Sequence, residues 1–363
     1  RQIKNESFYE FFYFLRKYTY ITTMKTQKDN EIAGKILEKR GNWEIFNPKN
    51  HKSLDFLYLH PETKSDKKYF KMNSLLKNLV YGDIQKITNK NTLFEELEKI
   101  PSSQKYLIAN YKIDIKNIDY EKINYMFKKY KVLIFKPIHG SIGEGIEIFT
   151  DFLDFKKFTK EDLNKRIEQI KKTFYFKNPK LFNLWVLQEY IDNPLLLDGK
   201  KFHIRGYIIT FFNKIYLMKH GKIIMAEENY KKKDYKNKKI HDTHTLGNQE
   251  SVRRYPEDLK ISQSKKKSIE EQMKKLFSLV ENIQIDTKCY EESKKCYQLF
   301  GFDAMITDNY QVKLIEINRN PGQSELKIPF EKELFENQIK LVVDHVFPPK
   351  NKVDEDSDFI LVY

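Results

Sequence analysis

The chain has 363 residues, 40% of them hydrophobic and 14% aromatic, enough for a large core and, by length, for two or three domains. No apolar run is long enough to span a bilayer and no N-terminal segment has the layout of a signal peptide, although Arg1 in place of Met points to a missing start. A net charge of +15, from 66 Lys+Arg against 51 Asp+Glu, asks for an anionic partner such as nucleic acid, an anionic membrane or an acidic polypeptide, and the lack of zinc-finger or RNA-binding aromatic motifs weighs against nucleic acid.

Two cysteines, Cys289 and Cys296, make neither a zinc pattern nor a disulfide framework, so a reducing cytoplasmic setting is the default. Near the start, Phe8, Phe11, Phe12 and Leu15 suit one helix face. Gly41 to Phe46 reads as a turn entering a strand. His60-Pro-Glu-Thr breaks the chain, and Ser74 to Tyr81 is expected to open a helix. Residues 90–128 read as helical or irregular.

From Lys131 the pattern changes. Val132 to Phe135 is a short apolar strand that runs into Lys136-Pro-Ile-His-Gly-Ser-Ile-Gly-Glu-Gly145, and Ile146 to Phe149 follows as a second strand. A glycine-rich link between strands can fold its backbone over a polyphosphate, with the Lys136 ammonium neutralising charge. An ordinary hairpin with a flexible turn fits these residues equally well. Residues 151–180 read as a basic amphipathic helix and loop. Trp185 to Ile191 is an apolar strand whose end, beside Gln188 and Glu189, offers backbone groups to a base or is a plain strand end.

Lys201 to Ile209 reads as a strand with Lys201, His203, Arg205 and Tyr207 on one face and Phe202, Ile204 and Ile208 on the other. Three such side chains together are costly unless an anion neutralises them or water solvates them. Residues 231–239, rich in lysine, are expected to form a mobile exposed loop. Lys265 to Leu279 and Phe330 to Val343 read as helices, 350–358 as disordered, and Phe359 to Tyr363 as a last strand.

The chemistry is densest in Leu299 to Gly322. Phe302 to Ile306 and Val312 to Asn318 read as two strands around a turn begun by Asp308-Asn309. A turn symmetric about Asn309 and Tyr310 sets Asp303 opposite Glu316, with Asn318 on the Glu316 face. Cross-strand carboxylates have Cβ atoms about 5 Å apart and repel, so two acids and an amide there want a hard cation, for which oxygen ligands suit magnesium. An exposed hairpin with solvated acids is the alternative; the apolar neighbours Phe300, Phe302, Met305, Ile315 and Ile317 argue against it.

Taken together, Lys136 through Gly145, Val186 through Arg205, His241-Asp-Thr and Phe300-Gly-Phe-Asp to Glu316-Ile-Asn318 resemble the ATP-grasp ligases, and within them the tubulin tyrosine ligase family. The likeness extends more faintly to Gly41-Asn-Trp, Ser74-Leu-Leu-Lys and Val346-Phe-Pro-Pro. It implies an α+β ATP-grasp fold with a small N-terminal domain (1–70), a central subdomain (71–190), a C-terminal subdomain (191–349) and a tail (350–363), with nucleotide between the last two subdomains. It also implies an ATP-dependent ligase that joins a free amino acid to tubulin or another acidic protein through an acyl phosphate. The implied cofactors are ATP and Mg2+. A cytoplasmic, microtubule- or cilium-associated monomer that binds no membrane is expected.

By the same resemblance, Lys136 and Lys201 contact phosphates, Gly143 and Gly145 shape the covering loop, and Gln188, Glu189, Tyr190 and Ile191 frame the adenine. His203, Thr243 and His244 complete the nucleotide site. Arg205, with Lys136 and Asn318, serves the reaction, and Asp303, Glu316 and Asn318 hold magnesium. Four positions depart from the family pattern: His203 replaces an aspartate tied to the sugar, Glu189 a lysine, Ile224 an arginine (with Lys222 nearby), and His244 an asparagine. A catalytically impaired relative that binds nucleotide or tubulin is therefore the alternative.

Overall fold

The computed structural model describes residues 17–23, 27–59, 74–78, 85–138, 145–173, 182–241, 243, 252–283, 295–319, 321, 330–354 and 356–362. The first part of the chain contributes β1 (Tyr18–Thr23), α1 (Gln27–Glu38), β2 (Trp43–Ile45), β3 (Leu54–Leu59) and β4 (Ser74–Asn78). Short helical pieces over 85–106 lead to β5 (Asn110–Asp114), α2 (Tyr120–Lys129), β6 (Leu133–Pro137), β7 (Glu147–Phe149), α3 (Phe152–Glu161), α4 (Leu163–Thr173) and β8 (Leu184–Glu189). Then come β9 (Leu196–Leu197), β10 (Lys200–Phe211), β11 (Lys214–Met218), β12 (Gly221–Asn229), α5 (Lys238–His241), β13 (Val252–Tyr255), α6 (Gln263–Glu281), β14 (Cys296–Ile306), β15 (Val312–Asn318), α7 (Phe330–Gln338) and β16 (Phe359–Leu361).

Two sheets result. The larger has twelve strands along the path β13-β12-β10-β14-β4-β3-β1-β2, with β9 and β11 on β10, β15 on β14 and β16 on β11. The smaller has four, in the order β5-β8-β6-β7. Strand β10 explains why the large sheet is two-sided. Phe202, Ile204 and Ile208 join a core with Leu276 and Phe277 of α6, whereas Tyr207, Ile209 and Phe211 join a second core with α1 and α7. The β10–β11 hairpin turns through Phe212 and Asn213, both with positive φ (48° and 58°), the left-handed pair that a two-residue turn requires. In the small sheet Leu133, Phe135, Trp185 and Leu187 pack on α2, α3 and α4 in a third core, which leaves the opposite face for a site.

Several expectations fail for physical reasons. Ser74–Asn78 is strand β4, not a helix opening: it pairs in parallel with β3 and β14, and a short apolar run does not choose between helix and strand until a sheet edge is offered. The stretch 90–128 likewise contains a strand, β5, paired with β8. Residues 151–173 form two helices, each short, with Asp151 capping the first through Leu153 and Asp154 N–H groups.

The run 231–239 is no mobile loop. Tyr230 and Tyr235 both donate to Asp192, Lys232 pairs with it, and the segment closes on α5. The tail is held too, by Lys340 on Asp354 (2.7 Å) and by Asp358 N–H on Asn337 (2.7 Å). Strands β4 and β16 both belong to the large sheet. Cys296 is disulfide-bonded, against the reading of the cysteines as unlinked, while Cys289 lies outside the described residues. The Phe8–Leu15 helix also lies outside them. No helix among the described residues is long and apolar enough to cross a membrane.

Candidate functional site

A cavity of about 650 Å³ lies between the two sheets. From the small sheet it takes Ile134, Lys136, Ile148 and Gln188; from the segment after β8, Tyr190 and Ile191; from the large sheet, Lys201, His203, Asp303 and Met305. Strand alternation decides these contributions. Ile134 pairs with Gln188 and Lys136 with Val186, so these four share the face opposite the third core, and Lys136 Nζ donates to Gln188 Oε1 at 2.9 Å.

Glu189, one residue on, also lines the cavity, although alternation turns its side chain away from that of Gln188. Its carboxylate accepts from Ala109 N–H at 3.3 Å and lies near Lys313.

Gly145 does belong to the turn before β7. Its φ is +76°, and a Cβ there would stand 2.6 Å from Ile170 Cδ1 and 3.0 Å from Pro137 Cδ. Glycine is required by the close approach of α4. Gly143 and His244 lie outside the described residues.

On the large sheet five charged residues form one row. Arg254 of β13 pairs with Lys222 of β12, Lys222 with Arg205 of β10, Arg205 with Asp303 of β14, and Asp303 with Glu316 of β15. Directly paired residues point to the same face. Next to the turn the register is centred on Asn309, with Ile306 opposite Val312 and Ala304 opposite Leu314, and a bulge between Asp303 and Ala304 then brings Asp303 opposite Glu316, the pairing expected from a turn symmetric about Asn309 and Tyr310. Ile224 pairs with His203 one step along, and Lys222, only 3% exposed, faces the Arg205 strand directly.

Arg205 grips Asp303 with two N–H groups, Nε on Oδ1 (2.5 Å) and Nη2 on Oδ2 (2.9 Å). Burial opposes the arginine charge, but Asp303 outweighs it and raises the guanidinium pKa. Asn318 Nδ2 donates to Glu316 Oε1 at 2.8 Å, which leaves the amide oxygen as the atom to meet a cation. Two carboxylates and an amide oxygen are a fitting donor set for magnesium, and a cation bound there shares Asp303 with Arg205.

His203 Nδ1 is 2.6 Å from Thr243 Oγ1, so both expected nucleotide residues meet, and His203 Nε2 stands 3.7 Å from Asp303. Lys201, 5% exposed, donates to Tyr190 Oη at 3.0 Å. The sequence reading missed one wall altogether: Lys233, Tyr235, Lys236 and Lys238 line the cavity mouth. The only hint was a tyrosine inside a lysine run.

Among known proteins, the profile of the tubulin-tyrosine ligase family matches residues 77–355. The probable tubulin–tyrosine ligase PBY1 of Saccharomyces cerevisiae is 25% identical over 264 residues, covering 62% of this chain and 35% of the relative. The probable alpha-tubulin polyglutamylase Ttll1 of Tetrahymena thermophila is 26% identical over 238 residues, covering 59% and 54%. The human inactive polyglycylase TTLL10 is 24% identical over 251 residues, covering 62% and 36%. This chain therefore matches between about a third and a half of the length of these relatives. Among solved structures, the C-terminal domain of K. lactis Pby1, an ATP-grasp enzyme interacting with the mRNA decapping enzyme Dcp2, is similar with a TM-score of 0.65 at 18% identity, over 96% of this chain and 99% of that one. The fold is thereby ATP-grasp.

Proposed function

The chain belongs to the tubulin-tyrosine ligase family, and on that premise we propose that it uses ATP to join an amino acid to a protein acceptor, the acidic C-terminal tail of tubulin. The observation that carries this reading is the cavity itself, where Lys136 of one sheet and Lys201 and Asp303 of the other line one space. In this reading Lys136 and Lys201 spread the charge of the phosphates. Gln188 and the 189–191 backbone frame the adenine, Arg205 faces the reacting end, and Asp303, Glu316 and Asn318 hold magnesium.

Bound magnesium supplies neutralisation of phosphate charge. A substrate carboxylate attacks the γ-phosphorus, ADP leaves, and the resulting acyl phosphate yields an amide and phosphate when an amine attacks its carbonyl. The protein's contribution is positioning and electrostatics. The net charge of +15 favours encounter with an acidic tail. A cytoplasmic setting at microtubules agrees with such an acceptor.

The test is purified protein with tubulin, Mg-ATP and labelled amino acids. Incorporation of at least one amino acid supports the reading, and none with any amino acid rejects it.

A second reading, a nucleotide- or tubulin-binding module without transfer activity, is favoured by one observation. His203 and Ile224, both departures from the family pattern, sit side by side on the cavity sheet, and one relative is named as inactive. It predicts that nucleotide raises the melting temperature while no ADP is released.

A further inference from the structure

A buried chain of hydrogen bonds runs from the 230–241 segment to Lys201, and chemistry gives each link one direction. The carbonyl of Asp234 only accepts, and His241 Nε2 lies 2.8 Å from it, so Nε2 carries a hydrogen. Burial, and after it the charge of Lys201, lowers the His241 pKa, so the ring is neutral at pH 7 and Nδ1 is an acceptor. Tyr190 Oη, 2.6 Å away, then donates to Nδ1. Its single hydrogen committed, the tyrosine oxygen accepts from Lys201 Nζ at 3.0 Å. The ammonium also lies 3.4 Å from the His241 carbonyl and 4.2 Å from the centre of the Tyr190 ring.

The surroundings support this wiring. Tyr230 also meets the Tyr190 side chain in a hydrogen-bonding contact, while its own hydroxyl hydrogen goes to Asp192, as does that of Tyr235, whose ring lies 5.5 Å from His241. Lys239, next in the same turn, is drawn to Glu227 of β12 at 3.0 Å. The groups that bear on His241 are therefore Lys201 of β10, Tyr190 and Asp192 of the segment after β8, and Asp234, Tyr230 and Tyr235 of its own segment.

We infer that His241 is a positioning residue for the nucleotide: through the Tyr190 hydroxyl it orients the Lys201 ammonium at the cavity. This role rests on the nucleotide reading above. The pre-set lysine then needs little reordering when an anion arrives.

The experiment measures Mg-ATP affinity by isothermal titration calorimetry for wild type, His241→Leu, His241→Asn and Tyr190→Phe, with long-range 1H–15N spectra of histidine-labelled wild type at pH 7. The expected results are the neutral Nε2–H tautomer for His241 and affinity lowered about 10-fold in His241→Leu and in Tyr190→Phe. His241→Asn, whose amide oxygen can replace Nδ1 as acceptor, is expected within about 3-fold of wild type. Wild-type affinity in His241→Leu, an equal loss in His241→Asn, or an Nδ1–H or doubly protonated ring at pH 7 would overturn the positioning role alone. Absence of nucleotide binding in wild type would instead remove the function on which it rests.

Discussion

The two sheets meet the cavity with opposite surfaces. The small sheet presents isoleucines, Ile134 and Ile148, together with Lys136, Glu147, Gln188 and Glu189, and rests on an aromatic core in which Trp185 stacks on Phe135 at 4.5 Å. The large sheet carries the row Arg254–Lys222–Arg205–Asp303–Glu316, of which Asp303 lines the cavity together with Lys201 and His203. The isoleucines suit a flat base, and the charged groups of the large sheet suit phosphates and a cation. One sheet therefore supplies shape and the other charge, and damage to each should register differently.

The largest effect is expected from the small sheet's core. Trp185 is fully buried, so Trp185→Ala should cost about 3–5 kcal/mol in urea unfolding. If it costs under about 1 kcal/mol, the small sheet is not held by this core. Next, on the large sheet, Asp303→Asn removes charge without volume and should cut steady-state ADP release about 100- to 1,000-fold. Retained turnover would show that the row is structural. Gly145→Ala forces a left-handed residue against Ile170 and should cost about 1–2 kcal/mol by the same unfolding assay, with no change in the charge-dependent steps.

The smallest effect concerns pH. Because the folded His241 pKa lies below its ordinary value, the unfolded chain binds that proton first as pH falls through about 6.5. Stability should therefore decline from pH 7 toward the lower folded pKa. His241→Asn should flatten that decline in melting temperature, and an unchanged slope would assign it to other groups.

These contrasts also mark what a sequence alone can carry. The Asp303–Glu316 pairing matches the one drawn from a symmetric turn, but the turn itself is centred one half-step away and a bulge after Asp303, not legible in the sequence, restores the pairing. The faces of Lys201, His203 and Arg205 follow from alternation within one strand. Strand β4 is not readable as such, since Ser74-Leu-Leu-Lys becomes a strand only beside β3 and β14, more than two hundred residues away in the latter case. The lysine-rich wall at 231–239 is hidden for the same reason. Its composition favours solvent, and its order comes from Asp192, a distant acceptor that collects two tyrosines.

The most direct measurement is ADP release by the purified protein over a panel of amino acids with tubulin present, beside Glu316→Gln. Release that depends on one amino acid and on the acceptor, and that vanishes in the variant, is the predicted result. Release that is absent throughout, or equal in wild type and variant, would contradict the assignment of the ionic sheet to phosphoryl transfer.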